Sequence, residues 1–169
     1  MREDESARIV ACIPRLRAYA RALVGERSRA DDLVQDTLAR ACDRLALWRR
    51  GMDMRAWLFS IMHNLHIDQL RKSRVVTQPL DDEAFDAPVR ATHTDMLEVA
   101  DLDAALRELP IEQREVLLLV ALEQMTYQQV AETLGIPLGT VMSRLSRGRE
   151  RLRAMMEGRS ISSPLRVVK

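Results

Sequence analysis

The stretch TYQQVAETLGIPLGTVMSRLSRGRERL, from Thr126 to Leu152, constrains this chain more than any other. Two helices that cross closely need a small residue on the first, and Ala131 supplies it. Four residues on, Gly135 can take the positive φ of a sharp turn at little steric cost. Six residues further, Val141 is placed to point back from the second helix into the core. Thr126 with Gln129 reads as a capping box, and Gly135-Ile136-Pro137 reads as the turn. Val130, Leu134, Ile136 and Leu145 complete the apolar interior. An ordinary helical hairpin does not demand this Ala–Gly–Val spacing, so the stretch is predicted to be a helix-turn-helix.

Helical periodicity extends through the rest of the chain. Only 4% of the 169 residues are aromatic and few are Gly or Pro, a mixture that favours helices over strands. Ile9, Ile13, Leu16, Tyr19, Ala20 and Leu23 form one apolar stripe, with Gly25 as its stop. Ser28 with Asp31 reads as an acidic variant of a capping box. It would open a second helix with a stripe of Leu33, Val34, Thr37, Leu38, Ala41 and Leu45. After Gly51 a third helix is expected from about Asp53 to Arg74, with Met54, Trp57, Leu58, Ile61, Met62 and Leu65 inward. Further helices are expected at Met96–Leu109, at Ile111–Leu122 with Pro110 in its first turn, and at Leu138 to about Met156. The predicted class is all-α. A three- or four-helix N-terminal bundle (1–76) and a linker (77–95) precede a C-terminal helix-turn-helix domain (96–169).

The net charge of +1 conceals blocks. Arg49, Arg50, Arg55, Arg71, Lys72 and Arg74 make one basic region, and eight bases from Arg144 to Lys169 make another. Between them lies an acidic stretch that includes Asp81, Asp82, Glu83 and Asp86, interrupted by Pro79 and Pro88. Two basic regions separated by an acidic one point to two nucleic-acid contacts. Cys12 and Cys42 sit in apolar helical patterns and read as small buried residues. His63 and His66 lack further ligands at a spacing that would hold zinc, so no metal or other cofactor is expected. No apolar run approaches the ~20 residues of a membrane helix, and the acidic N-terminus lacks a secretory signal. A cytoplasmic location is expected. No nucleophile–base pair or phosphate-binding loop appears, so catalysis is not expected.

In a helix-turn-helix the second helix enters the major groove with its N-terminal part against base edges. The outward residues there are Thr140, Ser143, Arg144, Ser146 and Arg147. Arginine can bond guanine in a bidentate way, and serine hydroxyls serve bases or phosphates. Amides around Gly139 and Thr140 would suit a phosphate.

The segment LPIEQREVLLLVALEQMTYQQVAETLGIPLGTVMSRLSRGRERLR closely resembles region 4 of extracytoplasmic-function (ECF) sigma factors of the sigma-70 family. In the first half ADDLVQDTLARA resembles region 2.2, and MRAWLFSIMHNLHIDQLRKSR resembles regions 2.3 and 2.4. The resemblance runs from about Cys12 to Met156 in the family's order and spacing. It implies a transcription-initiation factor whose partners are core RNA polymerase (the β′ clamp helices and the β flap), promoter DNA and a membrane-bound anti-sigma factor. Asp32, Gln35 and Asp36 match positions that dock on the clamp helices, and they share a polar helix face with Ala39 and Asp43. Asn64 matches the asparagine near the pocket for a base flipped from the −10 element. Asp68 and Arg71 share its face, and Arg71, Lys72 and Arg74 resemble the basic end that holds −10 phosphates. The family's connector would correspond to the acidic linker. Two positions depart from the pattern: His63, where Arg is more usual, and Met142, where Lys or Arg is frequent. Trp57 reads as core rather than as a stacking platform.

Two other readings compete. A conventional helix-turn-helix repressor or activator would use only the C-terminal half. A sigma-like protein that sequesters an anti-sigma factor would not need the basic residues that this chain keeps on its promoter faces.

Overall fold

The structure, a computed structural model, describes residues 3–76 and 94–158, with the side chains of Val76 and of 94–98 outside the description. The acidic linker, including Asp81, Asp82 and Glu83, lies outside the described residues. The elements are α1 (Glu3–Val24), α2 (Arg27–Asp43), a 3-10 turn (Leu45–Leu47), α3 (Met54–Val76), α4 (Thr94–Glu108), α5 (Ile111–Ala121), α6 (Tyr127–Leu134) and α7 (Leu138–Met156). No strand occurs among the described residues, and the all-α expectation holds.

Helix ends follow their local chemistry. Gly25, at φ +84°, stops α1. Glu26, not Ser28, caps α2: its side chain accepts the Ser28 amide at 3.0 Å, satisfying a first-turn donor that the Ser28–Asp31 pair was expected to serve. Asp53 accepts the Arg55 amide at 2.9 Å and opens α3. Pro110 stands just outside α5 as its N-cap rather than inside the first turn. Both arms of the Thr126–Gln129 capping box are made, at 2.9 and 3.2 Å.

The helices α1, α2 and α3 pack on one another, as do α5, α6 and α7. The two groups also meet each other: α1 packs on α4 and α5, and α3 packs on α6. One hydrophobic core runs from Ile9 through Leu16, Leu23, Leu33, Leu58 and Met62 to Leu119, Val130, Val141 and Leu145. Tyr19 and Phe59 meet edge to face within it, with ring centroids 4.9 Å apart. Phe59 and His66 are buried although neither belonged to the expected stripe of α3. Trp57 is half-buried and Cys12 likewise, while Cys42 is exposed, on the outer side of α2, contrary to the small-core reading. No described helix is long and apolar enough to cross a membrane.

Candidate functional site

Three polar surfaces stand on this scaffold. The first is the N-terminal half of α7. Gly135 adopts φ +65° at the end of α6, and Ala131 and Val141 are buried at the crossing, as the spacing predicts. Gly148 lies against α5, where an added Cβ would come within 2.9 Å of Leu117 Cδ1, so α7 is seated by close approach. That seating leaves Gly139, Ser143, Ser146 and Arg147 exposed and Thr140 and Arg144 half-buried. The Thr140 amide donates to the Pro137 carbonyl at 3.0 Å, so it is spent in the first turn. The expected phosphate cradle therefore loses one of its donors. Ser143 Oγ donates to the Thr140 carbonyl at 3.1 Å and must break this weak local bond to reach DNA. Tyr127 and Met142 are exposed and line a shallow groove with Leu145, Ser146 and Arg149 between α6 and α7.

The second surface is the C-terminal part of α3. Asn64, Asp68, Arg71, Lys72 and Arg74 are all exposed, and Asn64 is followed by Asp68 and Arg71 down one side of the helix. His63 does not join them. Its Nδ1 lies 2.7 Å from Glu115 Oε1 on α5, a contact the sequence reading had not anticipated.

The third surface is α2, where Asp32, Gln35, Asp36, Ala39 and Asp43 are exposed together, as the helical spacing requires. Gln69 of α3 donates to Asp36 Oδ2 at 3.3 Å. Two adjoining clefts run between α2 and α3. One is lined by Asp32, Gln35, Asp36, His66 and Gln69, the other by Asp36, Asp43, Asp68 and Lys72. Asp36 thus lies between the α2 face and the basic side of α3.

Sequence reasoning missed the polar junction between the halves. Arg114 donates to the carbonyls of Leu106 (2.6 Å), Leu23 (2.7 Å) and Leu109 (3.0 Å), and also to that of Arg107. It ties the end of α1 to the end of α4. Arg55 Nη1 donates to the Glu123 carbonyl at 3.0 Å, and Arg15 lies 3.8 Å from Glu123 Oε2. Burial shifts the titrations here. Desolvation raises the Glu123 carboxyl, partly offset by Arg15 and Arg55. Desolvation lowers the His66 imidazole, with Glu115 pulling the other way and His63 and Arg114 adding to the depression. Tyr19, fully enclosed, is raised well above its ordinary value by burial and by Glu115 and Glu123. One signal was available: Gln113 and Glu115 stand on the same helix as the apolar run Val116–Val120, where a polar residue drawn into the core needs a partner. Among the described residues no group of three His, Cys, Asp or Glu is arranged to hold a metal ion.

Comparison with known proteins finds matches to both halves of the chain. Residues 9–63 match the family model described as the Sigma2 domain of PhyR, and residues 100–152 match Sigma-70, region 4. The ECF RNA polymerase sigma factor EcfG of Rhodopseudomonas palustris is 39% identical over 149 residues, covering 88% of this chain and 82% of that protein. The ECF RNA polymerase sigma factor SigE of Mycolicibacterium smegmatis is 36% identical over 138 residues, 78% of this chain and 53% of that one. Among solved structures, the sigma factor RpoE from Bartonella quintana, in complex with the anti-sigma factor NepR, aligns with a TM-score of 0.78 at 31% identity. That alignment covers 92% of this chain and 98% of the other. CnrH in complex with the cytosolic domain of CnrY aligns with a TM-score of 0.69 at 27% identity, covering 92% of this chain and 89% of the other. With a Sigma2 model on its first half, a region 4 model on its second and a close relative over most of its length, the chain belongs to the ECF RNA polymerase sigma factors.

Proposed function

We propose that this ECF sigma factor divides its work among the three surfaces: α2 docks on polymerase, α3 reads the −10 element and α7 reads the −35 element. The observation that carries the reading is the exposure of Asp32, Gln35 and Asp36 on one face, beside the exposed Asn64–Arg74 side of α3. Carboxylates and an amide with few internal partners are free to bind a basic or polar partner surface. Asn64 offers both a donor and an acceptor to an unstacked base edge, and Arg71, Lys72 and Arg74 suit phosphates. On α7, Arg147 and the serines are placed for base edges, while Arg144 is half-buried and more restricted. The β flap is the further polymerase contact for the C-terminal half.

An anti-sigma factor is the regulatory partner this reading assigns. The solved relative RpoE is bound to the anti-sigma factor NepR, and CnrH to the cytosolic domain of CnrY. Membrane attachment of that partner, and a cytoplasmic location for this chain, belong to the same proposal.

Replacing Asp36 by Arg reverses the charge at the centre of the α2 face without touching the core. Capture of core polymerase by the tagged variant is expected to fall to background, with helicity unchanged. Undiminished capture would remove α2 from the polymerase interface.

A second reading has one specific observation behind it: the family model on residues 9–63 is that of PhyR, and the anti-anti-sigma factor PhyR also has a solved structure bound to NepR. A protein that only sequesters an anti-sigma factor would neither bind core polymerase nor support transcription. The basic residues kept on α3 and α7 favour the promoter reader.

A further inference from the structure

Helix α1 keeps one face that no other described element covers. Its buried stripe is Ile9, Leu16, Tyr19, Ala20 and Leu23. On the opposite side Glu3, Ala7, Val10, Pro14, Arg17 and Arg21 are all exposed, Val10 to 61%. Their spacing alternates four and three residues from end to end, which holds a stripe in line along a coiled-coil seam. The order along that seam is acid, then apolar, then base.

The charges on the seam are uncommitted. Two other arginines of α1 are engaged: Arg8 lies over the Trp48 ring at 5.1 Å, and Arg15 lies 3.8 Å from Glu123. Glu3, Arg17 and Arg21 have no side-chain partner among the described residues. Asp103, an acid that shares a cleft with Arg21, is already held by Arg107 at 2.5 Å.

A seam that runs from acid to base is complementary to itself reversed. With a second α1 laid end for end, Glu3 falls opposite Arg21, Ala7 opposite Arg17 and Val10 opposite Pro14. A two-fold axis at the level of residue 12 repeats each of these pairs. Ala11 then meets its own copy beside the axis, and these small side chains let the helix axes approach to about 8 Å. Parallel pairing would set Glu3 against Glu3 and Arg21 against Arg21, and would align the two helix dipoles unfavourably. A partner of one charge sign, such as an anionic lipid surface, would be repelled at one end of the seam.

We propose that the outer face of α1 is a self-association surface, on which two copies of this chain pair antiparallel from Glu3 to Arg21. The seam is about 27 Å long at ~1.5 Å per residue, and a strip roughly 10 Å wide covers about 300 Å² on each copy. A stable complex buries about 800 Å² per partner, so this dimer is weak and transient. None of the residues assigned to polymerase or DNA belongs to the strip, and the inference stands apart from the sigma-factor reading.

The test is sedimentation equilibrium of the full chain at concentrations up to about 1 mM, where weak association is still populated. Circular dichroism of each variant verifies its helicity. The parent is expected to pass from monomer towards dimer over this range, and to do so less at high salt, because the end pairs are exposed. Glu3→Arg alone, or Arg21→Glu alone, should weaken self-association about tenfold, since two attractions become two repulsions. Mixing these two variants restores opposite charges at both ends and should return a heterodimer of parental strength. Neither misfolding nor a change of net charge would produce that recovery. A parent that stays monomeric throughout, a dimer indifferent to both reversals, or two variants that remain apart when mixed would each overturn the proposal.

Discussion

Arg114→Met tests how the docked fold is held. The Arg114 guanidinium donates to four carbonyls, those of Leu23, Leu106, Arg107 and Leu109, which stand at or just beyond helix C-termini where backbone donors run out, although that of Leu106 also accepts the Leu109 amide at 3.2 Å. The group is half-buried, and desolvation, followed by the Arg107 charge, lowers its pKa against the pull of Asp103; it remains a cation throughout. Hydrogen bonds from a charged donor contribute about 1.5–3 kcal/mol each, but water can replace those on the exposed side. Counting two of the four as irreplaceable gives a loss of about 3–5 kcal/mol on replacement by Met, which keeps the aliphatic stem. Arg114→Lys should recover less than half of this, because an ammonium cannot reproduce the fork. The assay is urea unfolding followed by circular dichroism and, separately, by tryptophan fluorescence. Both tryptophans, Trp48 and Trp57, lie in the first half, so fluorescence reports that half alone. The two signals should coincide in the parent and separate in Arg114→Met, since the bond to Leu23 joins the halves. A loss below about 1 kcal/mol with coincident curves would refute the reasoning.

Other consequences are as direct. Arg147→Ala should leave stability unchanged and relax base choice at one −35 position by about 1–3 kcal/mol, measured by selection from a randomised promoter pool; unaltered preference would remove Arg147 from base readout. Gly148→Ala gains about 1 kcal/mol of helix propensity but sets a methyl against Leu117 and Gln113 at 2.9 and 3.4 Å. Overpacking costs about 1–3 kcal/mol, so a net destabilisation of about 1 kcal/mol is expected in thermal melts, and a raised Tm would contradict it. Burial lowers the His66 pKa from 6.5, so its contribution to stability is present above pH 6.5 and is lost as pH falls through the depressed value. Glu123, raised from 4.5, acts in the opposite sense, its contribution being present below 4.5 and lost as pH rises through the raised value. Urea midpoints of the parent should therefore fall more steeply than those of His66→Gln as the pH drops from neutrality; identical profiles would exclude His66.

The helix-turn-helix was legible because its constraints are local. Ala131, Gly135 and Val141 each answer a requirement set within a few residues, and the structure places all three as expected. Exposure of Asp32, Gln35 and Asp36 followed from helical periodicity alone. The cap of α2 was misread because Glu26 and Ser28 both offer oxygens at that turn, and only backbone geometry selects between them. The junction was illegible for a different reason. His63 and Glu115 are 52 residues apart, and their pairing depends on how the halves dock, which periodicity within each helix does not encode. By sequence His63 reads only as a departure from the family pattern beside Asn64, and nothing in its own helix points to Glu115. Only the apolar run Val116–Val120 that directly follows Glu115 marked it as a residue in need of a partner.

The central claim, that one chain reads two promoter elements on behalf of polymerase, is tested most directly by reconstituted transcription from a promoter library with core polymerase and this chain. Start sites should appear only when the chain is added, downstream of paired motifs about 25 base pairs apart, with Arg147→Ala altering the upstream motif and Asn64→Ala the downstream one. Initiation without the chain, or a single motif unaffected by Asn64→Ala, would contradict the account.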